Sequence, residues 1–553
     1  MSQRTGTSRR PRCTAAIREL REALRALPHE ARPRPAVVIL QSLSARFRTL
    51  GRSLAWIAAY DEEGQLRDVA LLLLMSAADA PVTLPRRLFA QAAELTERAL
   101  FDARLSDERK IVLLPILTHG GREVDPQALA SCFDDLQGAL ARATAHATAD
   151  LADTAEHVEA GLQVMGLVDE RGQSARGLER VRDALGMAAA TAEGNPRLGC
   201  TTLATIAAVG LELGAEPTGE LCAALELAAQ FDPPRALALL TELGTWPGTG
   251  EVGARARALS MRLRAGGVEP QPLATPAFSH GLVSAVDGSG AQALLLLYRH
   301  DGDLDALAFV LKDGVGLKDV WCAAGQGDEI ERQYRETGLS LAPCDEACAR
   351  ELIADALATN EAAGHPVPGR WLLYRAHLGP APLAPARRAP SLEAYRLATI
   401  PRGPRLAEGS DALLDSLAFD GLGFDSPAAY AFVRERGGRP DEALVGEFLQ
   451  AVEPHERARV TRRLAINLEL EARAGRGEQP LNRLAARTWV ALSEGLVPWH
   501  EVPYARALAE HALPAIAENL SLGFRTQDEV NQAALNMDFE GALDELAGLI
   551  ELV

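Results

Sequence analysis

The sequence predicts a mainly α protein. The expected plan is a helical-repeat-like array of the HEAT or tetratricopeptide type, an inserted small α+β module built on a three-stranded antiparallel meander, and a C-terminal helical domain. Three observations carry this. Apolar residues recur at i, i+3, i+4 and i+7 in segments of roughly a dozen to twenty residues over 14–270. That rhythm gives way, from residue 278, to apolar runs separated by Asp/Gly turns. After a proline-rich stretch it resumes, in a chain rich in Ala and Leu with only 5% aromatic residues.

At 553 residues the chain has room for about two to four domains. Its net charge of −18 argues against a nucleic-acid binder, whose footprint is a basic patch. Residues 1–36 dissent, with nine arginines against three glutamates. Within them a Ser/Thr/Arg/Pro-rich tail at 1–13 offers Arg9, Arg10 and Arg12 as candidate contacts for an acidic protein partner, or is simply a solvated end. No apolar segment follows it as a secretory signal requires. The longest apolar run, Val69 to Met75, is far short of the ~20 residues of a membrane span. Seven scattered cysteines, an odd number, suggest free thiols in a reducing cytoplasm.

In the array over 14–270, Ile17, Leu20 and Leu24 form the apolar face of a first helix. The stretch from 36 to 60 reads as one long helix with Gly51 as a weak point. "VALLLLM" is apolar nearly all round and should be central. Ser106 starts a capping pattern. Connectors such as "GAEPTG" and "FDPPR" combine helix-stopping Gly with Pro restarts. No fixed-period consensus emerges, so the array is a degenerate one.

The α+β module spans 278–378. "SHGLVSAV", "AQALLLLYR" and "LDALAFVL" read as three strands joined at "DGSG" and "HDGD". A helix follows at "DEIERQYRE", with Asp328 and Glu331 at capping spacing. A longer one, "CDEACARELIADALATNEAAG", ends at Gly364. The segment 379–409 reads as an extended proline-rich connector, and 410–553 as a helical domain in which Pro480 and Pro503 start helices.

Few residues suggest chemistry. "KDGVGLKD" supplies the ingredients of an anion cradle, and Lys312, Asp313, Gly314, Gly316, Lys318 and Asp319 are its candidate ligand-binding residues. The spacing fits no established phosphate motif, and a plain strand-end turn is the competing reading. Only three of the 57 basic residues are lysine, Lys110, Lys312 and Lys318, and two stand in this loop. "HDGDLD" lacks the Gly and Glu of a calcium loop. Cys344 and Cys348, with His365 and His377, have no zinc spacing. His119 and Cys132 lack the separation of a protease dyad. No catalytic set, metal site or cofactor motif is found.

Three passages, "DGSGAQALLLLYRHDGDLDALAFVLKDGVGLKDVW", "ELIADALATNEAAGHPVPGRWLLYRAHLG" and "RRLAINLELEARAGRGEQPLNRLAARTWVALSEG", resemble uncharacterised bacterial proteins in which a small "DGSG…GLKD" α/β module sits among HEAT-like helices. The resemblance runs from about residue 100 onward and implies architecture without an activity. The expected function is a cytoplasmic scaffold or adaptor that binds a protein partner. The alternatives are a module at 278–378 that binds or acts on a phosphate- or carboxylate-bearing small molecule, and a regulated substrate cut or modified in the connector.

Overall fold

The computed structural model describes residues 14–25, 36–76, 83–119, 131–149, 151–152, 154–165, 167, 178–214, 218–300, 302–379, 383–424, 426–437, 439, 441–526 and 529–530. The tail at 1–13, with Arg9, Arg10 and Arg12, lies outside them. The chain divides into two compact units, residues 1–151 with 187–199, and residues 152–186 with 200–553. It is mainly helical, with one small five-stranded antiparallel sheet.

The first unit contains helices α1 (Ala15–Arg25), α2 (Ala36–Arg46), α3 (Leu50–Tyr60), α4 (Gly64–Ser76), α5 (Thr83–Leu100), α6 (Asp107–Ile111), α7 (Leu114–His119) and α8 (Leu136–Thr148). Ile17, Leu20 and Leu24 are buried as the heptad spacing requires. The single long helix expected over 36–60 is two helices, and the break falls at 47–49 rather than at Gly51. Gly51 lies inside α3 for another reason. A Cβ there would stand 2.1 Å from the Leu88 carbonyl oxygen, so the glycine lets α5 approach. Ser106 does cap α6, accepting from Arg109 N. Lys110 is buried, with Nζ donating to the Cys132 carbonyl at 2.6 Å and lying 5.8 Å from the Phe133 ring centre. A slender ammonium on a long stem fits this use.

The second unit opens with helices α9 (Ala155–Val164), α10 (Leu178–Gly194), α11 (Pro196–Glu212), α12 (Thr218–Phe231), α13 (Pro233–Leu243) and α14 (Gly250–Ala265), of which α10 and α11 also contribute residues to the first unit. The sheet follows. Its strands β1 (Ala277–Ser284), β2 (Ala291–His300), β3 (Asp303–Lys312), β4 (Gly316–Ala323) and β5 (Leu341–Pro343) lie in the order β4-β3-β2-β1-β5. The meander therefore has one more strand than its apolar runs announce, and β5 adds an edge beside β1. Leu295, Leu297, Ala306 and Ala308 bury one face under Ile330 and Tyr334 of helix α15 (Gly327–Glu336). The alternate residue Phe309 faces the other way and meets Trp371 edge to face at 5.9 Å. The capping pair expected at Asp328 and Glu331 does not form: α15 starts at Gly327, and Glu331 accepts from His280 Nε2 at 3.0 Å.

Helix α16 (Glu346–Ala363) is capped by Asp345 and ends at left-handed Gly364, and a short helix α17 (Trp371–Tyr374) follows. The proline-rich segment is not a free tether. Leu392, Tyr395, Leu406 and Ala407 are buried in the C-terminal core with Phe448 and Trp499. That core is built on α18 (Pro427–Arg436), α19 (Glu442–Arg473), α20 (Pro480–Ser493) and α21 (Pro503–Ser521). Pro480 and Pro503 open their helices. Pro454 lies inside the 32-residue α19, which begins twelve residues before it.

Candidate functional site

The two Asp/Gly turns of the sheet are tied to α19. In the β1–β2 turn Asp287 Oδ1 accepts from Ser289 N (2.9 Å) and Ala291 N (2.8 Å), so the aspartate shapes its own turn. Asn467 of α19 reads the strand end beside it, accepting from Val286 N at 2.7 Å and donating to Val286 O at 3.1 Å. Arg463, fully buried, bridges both turns. Its Nε donates to Asp313 at 2.8 Å and its Nη1 to the Gly288 carbonyl at 3.0 Å. In the β3–β4 turn Gly316 has φ +99°, and a Cβ there would lie 2.3 Å from Asn360 Oδ1. Buried Asn360 of α16 in turn accepts from Leu317 N at 2.8 Å. The glycines and aspartates of "DGSG" and "KDGVG" thus serve turn geometry and docking, not a bare phosphate loop.

That docking encloses a cleft. Its volume is about 430 Å³, within the range of small-molecule sites. The β3–β4 turn contributes Lys312, Asp313, Gly314 and Gly316. Helix α16 supplies Leu352, Asp355 and Thr359; the proline-rich segment Arg387 and Arg388; and α19 Arg459, Arg462 and Ile466. Five cations face two carboxylates, in a chain of net charge −18. Asp313 is already bound to Arg463. Asp355 is shared: Arg462 Nη2 lies 2.7 Å from one carboxylate oxygen, and Arg387 Nη1 3.9 Å and Arg388 N 3.1 Å from the other. Behind the wall Glu469 is shared by Arg388 and by Arg473 at 3.0 Å. No aromatic side chain lines the cleft.

Four of the six loop residues singled out in the sequence therefore meet in the cleft, and two do not. Lys318 is exposed on β4. Asp319 turns to Arg370, whose Nη2 lies 2.9 Å away and whose Nη1 reaches Glu159 of α9 at 2.5 Å. Burial raises the Asp319 pKa against the pull of Arg370. This is a buried ion network that joins α9 to the sheet edge.

The other chemical candidates have structural roles. Asp305 of "HDGDLD" caps a turn, accepting from Gly325 N at 2.8 Å. Cys132 is buried, and burial raises its thiol pKa, contrary to what a nucleophile needs. Cys344 and Cys348 pair side by side: the hydrogen bond from Cys344, despite burial and aided by Arg473 and Arg388, lowers the Cys348 pKa. Both are buried. Among the described residues no group of three or more His, Cys, Asp or Glu is placed to hold a metal ion, and no helix is long and apolar enough to cross a membrane.

No protein-family model, curated protein or solved structure matches the chain. The cleft is the feature that sequence reasoning missed. Its arginines come from segments 75–150 residues beyond Lys312 and carry no local motif. The available signal was the scarcity of lysine, which pointed at Lys312.

Proposed function

We propose that the second unit binds a small anionic molecule in this cleft, carried by a helical-repeat-like framework that can also present surface to a protein partner in the cytoplasm. One observation supports the anion above all: cations from four separate elements converge on one concave, largely aliphatic site inside a strongly acidic protein. Such an arrangement concentrates positive potential where the rest of the surface repels anions. No side-chain constellation for bond making or breaking accompanies it, so binding or sensing is the reading that the geometry favours.

The test is a thermal-shift titration of the full chain with inorganic phosphate and citrate, on wild type and on Arg462→Gln. A saturating ligand at a hundred times its dissociation constant adds about 2.7 kcal/mol of stability. Stabilisation of wild type that is lost in the variant supports the reading, and equal response of the two proteins overturns it. The scaffold role is tested separately, by pull-down from native extract followed by cross-linking. Failure to retain any partner counts against it.

A further inference from the structure

Resting on that reading, we propose that the cleft selects a dianionic phosphate monoester on an aliphatic body, and that Asp355 sets this threshold. The argument starts from charge. Asp355 is one carboxylate between two guanidiniums, Arg387 and Arg462. Glu469 is likewise one carboxylate between Arg388 and Arg473. Each shared carboxylate leaves one positive charge in excess, so two excess charges border the same cleft. A ligand with one negative charge brings no more than Asp355 already provides. A phosphate monoester carries about −1.5 to −2 at neutral pH and brings three acceptor oxygens, which suit the forked donors of arginine.

Asp355 also occupies the space where such an anion would be held. Its side chain is 15% exposed and both of its oxygens are engaged. It therefore acts as an internal competitor: a weak anion fails to displace it from Arg462 and Arg387, and a stronger one succeeds. The body of the ligand follows from the remaining wall. Val286, Leu311, Leu352, Ala356 and Ile466 are aliphatic, and no ring is present on which a nucleobase could stack.

The experiment is isothermal titration of the full chain with hexyl phosphate, hexanoate and adenosine monophosphate, on wild type and Asp355→Asn. The asparagine keeps the shape and the acceptor for Arg388 N while removing the charge. Wild type should bind hexyl phosphate roughly tenfold or more tighter than hexanoate, the worth of one charge-assisted hydrogen bond. Asp355→Asn should tighten hexanoate several-fold and narrow that ratio. Should the asparagine variant not fold, Arg387→Gln, at a half-exposed site, serves instead: it should weaken hexyl phosphate more than hexanoate. Equal wild-type affinity for hexyl phosphate and hexanoate overturns the threshold, as does weaker binding of both by Asp355→Asn. Tighter binding of adenosine monophosphate than of hexyl phosphate overturns the aliphatic body while leaving an anion cleft. No binding of any of the three overturns the cleft reading itself.

Discussion

Replacing Arg463 by methionine removes the guanidinium that joins the two sheet turns to α19 but keeps most of its stem. Three contacts are lost: Nε to Asp313 at 2.8 Å, Nη1 to the Gly288 carbonyl at 3.0 Å, and a long contact of 3.4 Å to the Gly423 carbonyl. A hydrogen bond to a charged group contributes about 1.5–3 kcal/mol, and a buried acceptor left empty costs about 1–3 kcal/mol. Breaking a fully buried ion pair costs about 3–5 kcal/mol. Here the Asp313 side chain is 23% exposed and regains water, which places the loss toward the lower end. The expected destabilisation is about 3 kcal/mol, felt in the unfolding transition of the unit that holds residues 200–553. Urea denaturation with linear extrapolation measures it. The cycle with Asp313→Asn should give a coupling of at least about 1 kcal/mol, since the two groups touch. Hydrogen exchange should speed up at the amides of 286–290 and 313–317 before other parts of the sheet. A loss below about 1 kcal/mol with no change in those amides would refute the view that the turns exist to be docked.

Two glycines of one turn should respond differently. Gly314→Ala, at φ +72° with open space around it, should cost about 1–2 kcal/mol, the price of a left-handed residue. Gly316→Ala also drives a methyl into Asn360 and the Ala356 carbonyl, and should lose about 3 kcal/mol or more in the same melt. Glu471 is buried, and against that burial Arg476, Ser340 and Asn482 hold its pKa below the ordinary 4.5. A carboxylate held low in the folded state stabilises it above the unfolded value and ceases to do so as pH falls through the folded one. Glu471→Gln should therefore destabilise at pH 7, with the gap to wild type closing below about pH 4.5; a gap independent of pH would contradict the assignment. Lys318→Ala should leave phosphate binding unchanged in titration, because that lysine is outside the cleft.

The helices and three central strands were legible because each is a local periodicity. The fourth strand was not: Lys318 and Asp319 break its alternation, and the β3–β4 register shifts between Val310 and Leu311. The fifth is three residues ending in proline, too short for any pattern. Pro454 misplaced the start of α19 because proline opens helices more often than it sits inside them, yet residues 442–453 continue the same apolar stripe through Val445, Phe448, Leu449 and Val452. The scarcity of lysine had different meanings at its three positions. Lys312 enters the cleft, Lys110 fills a buried slot, and Lys318 is in solvent, so the same signal at three positions marked one site. The cleft arginines escaped notice because only folding brings 312, 355, 387 and 462 together.

Helix α19 is a rod about 48 Å long at 1.5 Å per residue. Arg459, Arg462, Arg463, Ile466 and Asn467 follow the spacing i, i+3, i+4, i+7 and i+8, so they occupy one side of it. The grip on a ligand and the seating of the sheet are thereby machined on the same edge of the same shaft. Any rotation of that shaft turns both through one angle, and neither can be adjusted alone. Its soft point is Pro454, which lacks the amide proton that would continue the ladder. The working face begins one turn and more beyond it, on the stiff side.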